Sequence, residues 1–216
     1  MLKAMLRAQW KACWHLVTAL TVAAFLLPIV SVRLGWKGAE ANLPRFLTEM
    51  ELWGFFYPAL AAIAALILAT AIWISDRRGQ HVYALLLPLP RWKYVLLRYA
   101  AGLGLLVPLV VALWLGALFA TTGLDIPTGL RQFPHALALK FALALVLLFG
   151  AFFAAAASSS RTRGIGLRVL GLFLAVHIAV ILLDPKTNLL WTVVTALTTW
   201  PGPLAPLGGR WMLIDV

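Results

Sequence analysis

Residues 99–120 read YAAGLGLLVPLVVALWLGALFA, twenty-two positions without a charge. Eleven of them are Leu, Val or Phe. At roughly 0.3–0.6 kcal/mol each, these side chains favour insertion into a bilayer by about 3–7 kcal/mol. One central Lys or Arg would cost about 2.5–3.5 kcal/mol, and the stretch has none. About 20 apolar residues are enough for a helix to cross the hydrocarbon core. This stretch is therefore expected to be a transmembrane helix.

On either side the same pattern recurs. Charges punctuate the chain and leave long uncharged gaps between Lys11 and Arg33, Glu51 and Asp76, Arg98 and Asp125, and Lys140 and Arg161. The gap from Arg168 to Asp184 is shorter; it reaches span length if Gly164 to Gly166 join it and Arg168 snorkels to the headgroups. The spans are expected at 14–32, 54–74, 99–120, 137–158 and 165–183. Residues 188–200 are apolar but short, and Pro201, Pro203 and Pro206 cannot continue a regular helix. They read as a short re-entrant or surface helix, with a sixth span as the alternative. The composition agrees: 63% of the 216 residues are hydrophobic and 12% charged, against about 45–50% and 25% in soluble domains. The expected fold class is all-α: a polytopic helical membrane protein with five to six transmembrane helices, an N-terminal interfacial helix and a cytoplasmic coupling helix, all in one membrane domain over 1–216.

Orientation follows from Lys and Arg. With the N-terminus in the cytoplasm, the inner segments hold eleven basic residues and one acid, Asp76. The outer segments hold seven basic residues and six acids. The net charge of +11 is thus topological and gives no ground for nucleic-acid binding. The expected location is the plasma (inner) membrane. The first apolar stretch is longer than a signal-peptide core and no small-residue cleavage site follows it, so it reads as an uncleaved anchor. Before it, residues 1–13 place Leu2, Leu6, Trp10 and Cys13 on one side and Lys3, Arg7 and Lys11 on an adjacent stripe, the pattern of a helix lying in the interface against anionic lipid, with the cytoplasmic start of the first span as the alternative. The outer loops are expected near 33–52 and 121–135, with Trp36 and Trp53 in an interfacial belt.

Between spans two and three lies GQHVYALLLPLPRWKYVLLRY, Gly79 to Tyr99. Ser75 or Asp76 could cap a short helix carrying Val82, Leu85 and Leu86 at i, i+3, i+4. Pro88 and Pro90 would break it, and Pro90 suits the first turn of a second helix running into span three. A connection that is basic, apolar, aromatic and stiffened by prolines fits a handle for a cytoplasmic partner.

The stretch from Asp76 to Leu103 resembles the segment between the second and third spans of permease subunits of ATP-binding-cassette exporters (the type-2 exporter permease family). The matching residues are Asp76, Gly79, Leu85 to Leu87, Leu89, Pro90, Arg91, Trp92 and Tyr94; Ala84 stands where many such permeases carry a glutamate. The order of elements is similar over about 1–185. The resemblance implies contact with an ATPase at Asp76, Arg77, Arg78, Gly79, Gln80, His81, Val82, Tyr83, Leu86, Pro90 and Arg91. It also implies pairing as a homo- or heterodimer, and export of a hydrophobic or amphipathic substrate. The chain has no G-x-x-x-x-G-K-[ST] loop, so it is not expected to be an enzyme by itself. ATP and Mg²⁺ would be held by the separate ATPase subunit, with no cofactor on this chain. The alternative is a non-transporting scaffold or assembly subunit that docks a cytoplasmic partner.

Other constellations are weaker. The single Cys13 forms no internal disulfide, and no Cys/His set has metal-ligand spacing. His15 and His177 fall within spans, but no Asp or Glu lies inside a span to pair with them, which disfavours a proton-coupled carrier or an intramembrane enzyme. Ala61, Ala65 and Ala69, and the run Ala151 to Gly164, read as surfaces for close helix packing.

Overall fold

The computed structural model describes residues 2–38, 43–78, 90–122, 130–158, 172, 189–199, 201–202 and 204–215. The helices are α1 (Leu2–Gly38), α2 (Leu43–Gly54), α3 (Phe56–Arg78), α4 (Arg91–Ala120), α5 (Pro134–Ala157) and α6 (Leu189–Thr198). A 3-10 turn covers Ala205–Leu207, and two short strands, β1 (Arg131–Gln132) and β2 (Ile214–Asp215), complete the described elements. Two compact units are formed: Met1–Phe153 with Arg210–Val216, and Ala154–Gly209.

Four stretches are long and apolar enough to cross a membrane: Leu2–Gly35, Arg45–Ile74, Trp92–Ala120 and Pro134–Ala157. The shortest has 24 residues, about 36 Å of helix against a hydrocarbon core of about 30 Å. The protein is a helical one of membrane type. The expected spans at 14–32, 54–74 and 99–120 lie inside these stretches, as does 137–158 apart from its final residue. The expected span at 165–183 lies outside the described residues except for Leu172, which is helical.

Within the first unit the directions alternate. Gln9 of α1 bonds to Arg98 of α4, and the carbonyl of Phe25 lies against Gly116 further along α4, so α1 and α4 run parallel. Among the described elements this pair makes the most extensive contact. A Cβ on Gly116 would run into the backbone of Phe25, so glycine lets the two backbones approach closely. α3 runs the other way, with Tyr57 beside Ser31 (3.0 Å between hydroxyl oxygens) and Ile72 beside Arg98. Its Ala61, Ala65 and Ala69 are fully buried, the small-residue packing face read from their spacing. α5 is antiparallel to α4: Trp114 donates to Nδ1 of His135 at 2.9 Å, while Tyr99 stacks on Phe149.

Away from the connection between α3 and α4, the structure departs from the sequence reading at three places. The basic start over 1–13 is the beginning of α1, which continues without a break to Gly38 and carries Pro28 within it. The region near 33–52 is mostly helix rather than loop. α1 extends to Gly38 and α2 occupies Leu43–Gly54; α2 buries Phe46, Met50 and Gly54, one turn apart, while Arg45 and Glu51 stay exposed. The all-α expectation also omitted a two-stranded antiparallel pairing. Arg131 faces Asp215 and Gln132 faces Ile214, and the amide of Phe133 donates to the carbonyl of Leu213 at 2.8 Å.

This pairing brings residues 211–215 into the first unit. Trp211 is 5% exposed, stacks on Tyr57 with rings 6.4 Å apart, and lies under the ammonium of Lys140 at 4.7 Å. Lys140 also donates to the carbonyl of Arg210 at 2.9 Å.

In the second unit, α6 has ten described residues, about 15 Å of helix, half of a crossing. It ends in turns: the amide of Gly202 donates to the carbonyl of Thr199 at 2.6 Å, and that of Leu204 to Leu197 at 2.9 Å. Gly209 has φ of 69°, a conformation that glycine adopts without strain.

Candidate functional site

The candidate site is the end of the bundle where α3 stops and α4 starts. Asp76, Arg77 and Arg78 form the last turn of α3. Ser75 and Asp76 are therefore inside that helix and do not cap a new one, as the sequence had suggested. Two arginines at a helix C-terminus are favoured by the helix dipole, which suits continuation of the helix to Arg78. Gly79, Gln80, His81, Val82, Tyr83 and Leu86, with Leu85, lie outside the described residues.

The chain is described again from Pro90. Proline fits here because its φ of −61° and ψ of 139° are extended and its missing N–H is not needed at a helix start. Its carbonyl accepts from the amides of Lys93 (3.0 Å) and Tyr94 (3.3 Å), making it the N-cap, one position before the expected first turn. Arg91 is the first residue of α4. The site residues thus flank residues 79–89 as the end of one helix and the start of the next.

Two turns into α4 stands Arg98, which sequence reasoning treated only as a boundary charge. It is 5% exposed. Its Nη1 donates to the hydroxyl of Tyr94 at 2.5 Å, and its Nη2 donates to the carbonyl of Ile72 on α3. Its guanidinium also lies 5.0 Å from the centre of the Trp73 ring and 5.7 Å from that of Tyr94, within the range of cation–π attraction. From α1, Nε2 of Gln9 donates to the carbonyl of Arg98 at 3.3 Å. A planar fork of five donors on a long stem can hold several partners on different elements at once, which an ammonium does less well.

Beside this cluster the aromatic rings of three helices meet. Phe153 of α5 lies 5.2 Å from Trp73 of α3 and 5.3 Å from Tyr99 of α4. Gly102 leaves room for Phe149, whose ring would stand 2.5 Å from an added Cβ. The two helix ends that flank residues 79–89 are therefore joined to each other and to α1 and α5. A displacement at Arg78 or Pro90 bears on a packed set of four helices, and close-packed interiors transmit strain.

A cavity of about 250 Å³ opens at the same end, lined by α1 (Gln9, Cys13), α3 (Ile72) and α4 (Tyr94, Arg98) among others. Among the described residues no group of three His, Cys, Asp or Glu could hold a metal ion. The ring of His15 lies tilted against that of Trp14, with centres 3.6 Å apart, and His177 lies outside the described residues. In the sequence Arg98 stands one helical turn after Tyr94, between Leu97 and Tyr99 and ahead of an apolar run, a context that a boundary charge fits equally well.

Compared with known proteins, the chain matches no family model, and no curated protein or solved structure matches it significantly.

Proposed function

We propose that the chain is the membrane-spanning permease subunit of an ATP-driven exporter of the ATP-binding-cassette type. In this reading it works in the plasma (inner) membrane with its N-terminus cytoplasmic, as half of a homo- or heterodimer. A separate ATPase subunit docks on Asp76 to Arg91, and ATP closure there pulls residues 79–89. The observation that carries the reading is the tie at Arg98, which joins the end of α3 to the start of α4 on either side of the handle. A docking loop moves its spans only if its flanks are fixed to them, and those flanks are fixed. The strongly apolar spans suit a hydrophobic or amphipathic substrate.

The test is co-purification in mild detergent, with wild type and with a Leu85→Asp, Leu86→Asp double variant. The wild type brings down a soluble ATPase, and the variant loses it at least tenfold while keeping its helical circular dichroism, because buried carboxylates are too costly in an apolar contact. Absence of any ATPase from the intact wild-type protein would reject the exporter reading and favour a scaffold subunit.

A further inference from the structure

We propose that the cavity between the start of α5 and the 210–215 segment, at the end of the bundle opposite Arg98, binds an anionic phosphate or carboxylate group. The proposal is independent of the ATPase reading. The strand pair lays this segment across the first turns of α5. The cavity left between them measures about 190 Å³, with Phe133, Leu137 and Met212 as apolar walls and Lys140, Arg210 and Asp215 as charged ones. That is below the roughly 300–1,000 Å³ of sites for drug-sized ligands and suits a headgroup more than a whole substrate. Lys140 is the one charged residue of α5, and a charge within a membrane-spanning stretch is rare and marks a functional candidate. Its ammonium has three donors. One goes to the carbonyl of Arg210, and it forms no ion pair among the described residues. Arg210 is exposed, and its guanidinium has no ion pair or hydrogen bond among the described residues. Asp215 is set opposite Arg131 across the strand pair, where opposite charges attract. Two cations therefore remain over for a ligand, and guanidinium is the side chain best matched to phosphate and carboxylate oxygens.

The surroundings add to this. The cavity lies at the N-terminus of a 24-residue helix, whose dipole presents its positive end there. They also favour an amphiphile as the carrier of the anion. Leu139, next to Lys140, is 63% exposed and Leu143 one turn on is 48% exposed, so the apolar side of α5 meets the acyl chains of a bilayer beside the charged rim. Phe133 is itself partly exposed and continues this apolar side to the cavity wall. An acyl chain could thus lie along α5 while its anionic head sits between Lys140 and Arg210.

The experiment uses the whole chain, stripped of lipid in mild detergent and then given equal amounts of phosphatidic acid and diacylglycerol with the same acyl chains. Native mass spectrometry should find one phosphatidic acid held where diacylglycerol is shed. Arg210→Gln, at an exposed side chain, should weaken that retention by roughly tenfold or more. Ala136→Phe should do the same without altering either cation, because Ala136 lines the cavity from an exposed position and a ring there would fill it. Lys93→Gln, which removes an exposed charge at the opposite end, should leave retention unchanged and so exclude a general attraction to a chain of net charge +11. Equal retention of the two lipids, retention unchanged in both Arg210→Gln and Ala136→Phe, or an equal loss in Lys93→Gln would overturn the proposal. Millimolar inorganic phosphate separates the sources of the anion. Retention that survives it supports an amphiphile, and displacement of the lipid by it overturns the amphiphile and assigns the site to a free anion.

Discussion

Arg98 owes its contribution to its neighbours. It holds Ile72 and Tyr94 by hydrogen bonds and covers Trp73. Hydrogen bonds to charged groups are worth about 1.5–3 kcal/mol each, so Arg98→Leu should destabilise the protein by about 3 kcal/mol. Arg98→Lys should recover less than half of that, because an ammonium cannot fork. Thermal melts in detergent, followed by circular dichroism, check both. Two glycines of α4 make a sharper comparison. At Gly116 a Cβ would meet the backbone of Phe25, whereas at Gly104 it would meet only the end of the Leu6 side chain at 3.1 Å. A backbone cannot step aside and a leucine methyl can. Gly116→Ala should therefore cost about 2 kcal/mol, while Gly104→Ala should be neutral or stabilising by up to about 1 kcal/mol from helix propensity. The same melts decide; equal losses at the two sites would contradict the close approach of α1 and α4.

At the scale of elements, the long helices were legible because charge alone delimits them: between Arg98 and Asp125 nothing polar enough to stop a span intervenes. α2 was hidden because Arg45, Glu49 and Glu51 suggest a loop, although Phe46 and Met50 one turn apart carry a helical period. The strand pair was not legible at all. Two residues on each side give no alternation to read, and their partners are far apart in sequence. At the candidate site, the helix start at Pro90 and its basic-aromatic first turn were legible from local chemistry, but the burial of Arg98 was not, because a boundary arginine also fits a headgroup contact. A test at this scale is Trp211→Ala. The side chain is almost fully buried against Tyr57 and Lys140, so its removal should cost about 3–5 kcal/mol. It should also release residues 210–215 to proteolysis. Unchanged protease resistance would mean that the strand pair does not hold this segment.

For the whole molecule, the contacts of the first unit sort its residues to two ends. Gln9, Trp73, Arg98 and Phe153 lie at one. Ser31, Tyr57, Gln132 and Trp211 lie at the other. Phe153 and Arg210 therefore lie at opposite ends of the first unit. Reporters placed before Leu2 and after Val216 should accordingly report opposite sides of the membrane, with the first cytoplasmic by the charge distribution. Two reporters on the same side would contradict this. The central claim is that residues 79–89 dock an ATPase. It is tested most directly by replacing Leu86 with a photo-crosslinking amino acid in cells and identifying the adduct. The account predicts a crosslink to a soluble protein carrying a G-x-x-x-x-G-K-[ST] phosphate loop, and adducts to lipid alone would contradict it.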